Sequence, residues 1–129
     1  RGVGRAAAGG ALVLAASDPA NPFGAALPWP ETGDHRPSRK AGALVVLDDG
    51  RPSVWLERGG RTALTWATEP DTLARAAEAL AGLVRGGRLA ALTVEKVDGE
   101  ASLGSAHPFV AALLAAGFHQ TPKGVRLRR

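Results

Sequence analysis

The chain has 129 residues, a formal charge of +4 at pH 7 and no cysteine, so disulfides and thiolate metal sites are excluded. Its length suits one domain with a real core, and no stretch approaches the roughly 18 apolar residues of a membrane span. The basic residues are thirteen arginines against Lys40, Lys96 and Lys123; that balance reflects either the coding bias of a GC-rich genome or bidentate contact with phosphate.

Residues 1–10 are small, glycine-rich and basic, which predicts a flexible linker from an upstream domain, with a single domain over 11–129. The first residue is Arg1 rather than Met, so the chain is expected to be a piece of something longer. Ala11–Ala16 is a short apolar run that suits a buried strand. Ser17–Pro30 (SDPANPFGAALPWP) then holds four of the nine prolines. Proline fixes φ and lacks a donor, so regular structure is excluded there. Phe23, Leu27 and Trp29 are too hydrophobic for a solvated linker, so the stretch reads as an ordered loop. Asp18 and Pro19 form its opening turn, and Phe23 or Trp29 is expected to plug one end of a barrel. Glu31–Lys40 follows as a polar, exposed excursion carrying Arg36, Arg39 and Lys40.

Ala43–Leu47, Ser53–Glu57 and Thr62–Trp66 are rich in β-branched and aromatic residues and predict a three-stranded meander. Asp49-Gly50 and Gly59-Gly60 supply two-residue hairpin turns. Those turns place Asp48 opposite Arg51, Leu56 opposite Ala63, Trp55 opposite Leu64, and Arg58 opposite Arg61. Thr68 opens a helix with Asp71 as capping-box partner and Pro70 in the first turn. Its inward face is Leu73, Ala76, Ala77, Leu80, Leu83 and Val84, and Gly86-Gly87 stops it. Leu89–Val97 reads as one strand turning at Asp98-Gly99 into Ala101–Leu103. A second helix runs from about His107 to Ala116 with Phe109, Val110, Leu113 and Leu114 inward. Phe118–Gln120 and Val125–Leu127 form a last hairpin. The fold class is α+β: a curved, mostly antiparallel sheet, open or closed into a small β-barrel, with two helices packed on it.

Like charges opposed on a hairpin destabilise it, by up to about 1 kcal/mol. Arg58 and Arg61 therefore either splay into water, near Glu57 or Glu69, or are bridged by an anion such as phosphate. The excursion cations are likewise either solvated or a backbone clamp. Lys96, Lys123 and Arg126 complete the candidate nucleic-acid-binding set. Trp29, Trp55 and Trp66 offer stacking platforms if exposed and core if not. His35, His107 and His119 lack ligand spacing, so no metal site is expected. No P-loop, nucleophile elbow or metal-ligand helix occurs, and Asp18, Glu57 and Glu95 have no evident catalytic partner.

Five stretches together, Leu14–Pro30, His35–Leu47, Glu57–Trp66, Leu92–Glu100 and Ala116–Arg128, resemble the extreme C-terminus of Lhr, the long helicase-related bacterial proteins. The resemblance implies a parent that is an ATP-dependent superfamily 2 DNA helicase acting in DNA repair, cytoplasmic, with its ATP and Mg sites far upstream. It implies no cofactor in this segment, a barrel module similar to that of winged-helix DNA glycosylases, and the upstream winged-helix units and sister subunits as partners beside single-stranded or duplex nucleic acid. Some relatives are associated with uracil–DNA glycosylase activity. A glycosylase needs a carboxylate and a pocket for the flipped base. The tail here, GVRLRR, has no carboxylate, so no catalytic residue is carried over. The segment is expected to be a non-catalytic nucleic-acid-binding or assembly module, with part of a glycosylase site or a purely structural oligomerisation module as the alternatives.

Overall fold

A computed structural model of the chain describes residues 6–33 and 35–129. Its strands are β1 (Ala6–Ala8), β2 (Ala11–Ala15), β3 (Leu44–Asp48), β4 (Arg51–Leu56), β5 (Thr62–Thr65), β6 (Ala91–Val94), β7 (Lys96–Val97), β8 (Glu100–Ala101), β9 (His119–Thr121) and β10 (Gly124–Arg128). Helices α1 (Pro70–Arg85) and α2 (Pro108–Ala115) complete the α+β architecture. Neither sheet closes on itself. One runs β1-β2-β3-β4-β5-β7-β8 and the other β6-β10-β9, with every pairing antiparallel except β5–β7.

Part of the expected N-terminal linker, residues 1–5, lies outside the described residues. Within them, Ala6–Ala8 pair with Val13–Ala11 as an edge strand.

The large sheet is buried on both faces, which is why β3 reads LVVL without polar alternation. Val13, Val46, Val54, Leu56 and Ala63 face the helices and join Leu73, Ala76, Leu80, Leu83, Phe109 and Leu113 in the main core. Leu14, Val45 and Leu47 face the other way and are covered by Phe23 and Trp29 of the proline loop. The loop thus lies across a sheet face, where an open sheet would otherwise expose a continuous apolar surface to water. It plugs no barrel end.

Three local expectations change. The β4–β5 register is as expected, with Trp55 opposite Leu64 and Leu56 opposite Ala63. Arg58–Gly60, however, forms a 3-10 turn, with Gly59 and Gly60 at φ 78° and 80°. The ladder is closed by the Glu57 N–H on the Thr62 carbonyl, and Arg58 and Arg61 are not a cross-strand pair. Secondly, α1 is capped by Glu69, without a side-chain cap bond, so the Thr68–Asp71 capping box does not form. Pro70 at the first helical position fixes the start by its own φ. Thirdly, residues 89–97 are not one strand. The chain leaves the small sheet after Val94 and enters the large one at Lys96, crossing at Glu95.

Candidate nucleic-acid interface

That crossing organises the basic residues. Gly60 sits so tightly on β6 that a Cβ there would lie 2.6 Å from the Thr93 carbonyl oxygen. Thr93 is opposite Arg126 in the β6–β10 ladder, and Arg126 Nη1 donates to Thr93 Oγ1 at 3.1 Å. The Lys96 N–H donates to the Arg61 carbonyl at 2.9 Å. The stem of Arg58 lies over Gly42, where a Cβ would meet its Cγ at 2.6 Å, and Gly42 follows Lys40 by two residues. Lys123 precedes Gly124, whose backbone is packed against Val94 and Glu95.

The backbone segments that carry six of the eight cations named from sequence, Lys40, Arg58, Arg61, Lys96, Lys123 and Arg126, therefore lie near one another where the two sheets meet. All but the half-buried Arg126 are exposed. Among the described residues none of the six has a carboxylate within ion-pair distance; the ion pairs are Arg75–Asp48, Arg85–Glu78 and His107–Asp98.

Arg36 and Arg39 lie elsewhere. Arg36 is exposed and borders a cleft lined also by Trp29 and Pro37. Arg39 is turned inward: Nη1 donates to the carbonyls of Asn21 at 2.6 Å and Phe23 at 2.9 Å, and Nη2 to that of Asp18 at 3.3 Å. Asn21 is buried and adds bonds from Nδ2 to the Ala16 carbonyl at 2.8 Å and from the Phe23 N–H to its Oδ1 at 3.0 Å. Asp18 accepts the Ala20 N–H at 2.8 Å, a side-chain turn that opens the loop, and Pro19 is exposed within it.

The aromatics form a ladder. Phe23 and Trp29 have centroids 6.2 Å apart, and Trp29 and Trp66 5.9 Å apart with planes within 8°. Trp55 is fully buried and donates through Nε1 to the Ser38 carbonyl at 3.0 Å, while half-buried Trp66 donates to that of Glu31 at 3.1 Å. Two tryptophans thereby anchor the polar excursion to the sheet.

Sequence reading missed two polar clusters. Asp98, in the left-handed region at φ 51°, accepts the Thr65 N–H at 2.9 Å, the Thr65 hydroxyl at 2.6 Å and His107 Nε2 at 2.8 Å. His107 Nδ1 accepts the Phe109 N–H at 3.0 Å and so caps α2. Both ring nitrogens are occupied, so the pair ties α2 to the sheet and leaves the imidazole no lone pair for proton abstraction. The second cluster is Asp48, whose carboxylate takes Arg75 Nε at 2.9 Å and Nη2 at 3.2 Å. The Asp48 hydrogen bond, opposed by burial and aided by the charges of Asp48, Asp71 and Asp49, holds the Arg75 pKa above its ordinary value. Proline or glycine punctuation signals neither cluster, because both are long-range.

Among the described residues no group of three or more His, Asp or Glu could hold a metal ion. No described helix is long and apolar enough to cross a membrane.

The fold defines a two-sheet α+β module that carries cations, most of them exposed, on the segments where its sheets meet. No family model matches the chain. It is 52% identical over 124 residues, 92% of its length, to the Lhr helicase/probable uracil glycosylase of Mycolicibacterium smegmatis. It is 34% identical over 116 residues, 88% of its length, to the Lhr helicase/uracil glycosylase of Escherichia coli. The chain spans 8% and 7% of the lengths of these two relatives. The chain is homologous to a segment of the Lhr helicases over most of its length, and it fits a C-terminal module of those proteins.

Proposed function

We propose that this segment is a non-catalytic nucleic-acid-binding module of an Lhr-type ATP-dependent helicase that acts in DNA repair in the cytoplasm. Its parent would hold ATP and Mg, upstream winged-helix units would be its neighbours in the chain, and the segment itself would need no cofactor. The observation that carries this reading is the convergence of six cations, none paired with a carboxylate among the described residues, on the seam between the sheets. A single strand laid in that seam would meet guanidinium and ammonium groups from both sheets, and its affinity would fall with salt. The slope of log K against log salt is about −0.7 per phosphate contact on single strands.

Fluorescence anisotropy with a labelled single-stranded oligonucleotide tests this. Arg58→Glu with Arg61→Glu should abolish binding at moderate salt and flatten the salt slope, with an unchanged circular dichroism spectrum. No salt-dependent binding by the parent chain at low ionic strength would refute the reading and favour an assembly role, which sedimentation would reveal as a homo-oligomer.

The names of both relatives motivate a second reading, a contribution to a glycosylase site. A cavity of about 410 Å³ lined by Glu31, His35, Thr65 and Asp98 is where such a contribution would fall. Release of uracil from DNA by the segment, lost in Glu31→Gln, would establish it; no release by the intact segment would exclude catalysis by these residues alone.

A further inference from the structure

Asp48 and Arg51 face each other across the β3–β4 ladder, yet the carboxylate goes to Arg75 on α1. Arg51 is left exposed, with no carboxylate partner among the described residues, at the rim of a cleft of about 640 Å³. The wall beside it contains Trp66, the terminal ring of the Phe23–Trp29–Trp66 ladder. Trp29 already has a ring on either side. Among the described residues Trp66 has Trp29 as its one stacked partner, and it alone of the ladder reaches this cleft. The far wall is the start of α1 with Thr68, Glu69 and Thr72.

The charge of the cleft narrows its ligand. Asp48 is neutralised by Arg75, so Arg51 stands against Asp49 and Glu69. Two carboxylates against one free cation repel a polyphosphate. They suit a planar base that stacks on an indole, offers amino or imino hydrogens to a carboxylate or threonine hydroxyl, and brings one phosphate to a single arginine. Base–aromatic stacking of this kind tolerates any base. The cleft lies at the opposite end of β4 from the cationic seam, six residues at ~3.3 Å each, or roughly 20 Å away.

We propose that this cleft receives one unstacked nucleobase of a single strand, stacked on Trp66 with its phosphate on Arg51. The proposal rests on the nucleic-acid-binding reading above and adds a second, base-contacting subsite to it.

The test compares anisotropy titrations of the chain with a single-stranded oligonucleotide, an abasic oligonucleotide of equal length, and a duplex. Trp66→Ala should weaken single-strand binding roughly 5- to 150-fold, leave duplex affinity and the salt slope unchanged, and erase the preference over the abasic strand. Trp66→Phe should restore most of the loss, and Arg51→Gln, which removes no packed ring, should weaken binding and lower the slope by about 0.7. Quenching of tryptophan fluorescence by the natural but not the abasic strand reads the stack in the unaltered chain. Equal affinity for abasic and natural strands, or Trp66→Ala and Arg51→Gln proteins that bind as the parent does, would overturn the base subsite and leave the seam intact. No binding of any strand by the parent chain would overturn both readings.

Discussion

Arg39 reaches back 18 residues to donate to the Asn21 carbonyl at 2.6 Å and, through the same nitrogen, to the Phe23 carbonyl at 2.9 Å. A guanidinium with several fixed donors can hold several loop carbonyls at once, and a lysine ammonium on a flexible stem cannot match that fork. Arg39→Ala should cost about 2–3 kcal/mol, since hydrogen bonds to a charged group are lost and the carbonyl of buried Asn21 loses its donor, while those of Asp18 and Phe23 keep one each from Asn21. Arg39→Lys should recover less than half of that. Chemical denaturation measures both, and the salt slope of nucleic-acid binding should not move.

Ser102 is fully buried at the joint of the two sheets. Its hydroxyl donates to the Val94 carbonyl at 2.5 Å and accepts the Val125 N–H at 3.3 Å. Ser102→Ala removes both bonds from a fully buried site and should destabilise the chain by about 1–3 kcal/mol. Amide exchange should quicken first at Val125 and its ladder neighbours.

Gly60 has φ +80°, and a Cβ would lie 2.6 Å from backbone that cannot yield cheaply. Gly60→Ala should therefore cost at least 1–3 kcal/mol from the left-handed conformation alone, roughly, with further loss from the clash. The spacing of Arg58 from Arg126 depends on this contact. Nucleic-acid affinity should fall more than in Gly59→Ala, a position where an added Cβ meets nothing within 4 Å.

Trp29 lies between two rings but is only half-buried. Trp29→Ala should cost about 3 kcal/mol, the lower end for a large aromatic, because part of its surface already faces water. Thermal unfolding measures the loss. Trp66 fluorescence should shift to the red as its stacked neighbour disappears.

Sequence reading reached the β4–β5 register because Trp55, Leu56, Ala63 and Leu64 alternate on either side of a glycine pair. It reached the inward face of α1 because six apolar positions recur at helical spacing, and all six are buried. It could not see that the loop between Glu57 and Thr62 contains a 3-10 turn, since Gly59-Gly60 permits both that turn and a two-residue one. Nor did it register the crossing at Glu95, where the alternation of Leu92 and Val94 slips by one residue to Val97 as the strand changes partners. Asp48 illustrates the remaining limit. Local register offered it Arg51, and a contact 27 residues away won because Arg75 presents two donors from a rigid helix. The six seam cations were all named from sequence, but their convergence is a property of the fold. The emptied partner of Arg51 and the cleft beside Trp66 had no local signature at all.

Glu95 is the sole residue between strands that belong to different sheets. The module is for that reason topologically indivisible. A cut at Glu95 removes β7 and β8 from the edge of the large sheet and simultaneously separates β6 from the segment that carries β9 and β10. Neither fragment retains a complete sheet, so complementation by two halves should fail there, whereas a nick at Gly33, in the exposed excursion, keeps the small sheet whole in one fragment and parts only β1 and β2 from the large one. Any rearrangement of the parent chain must move this segment as one piece.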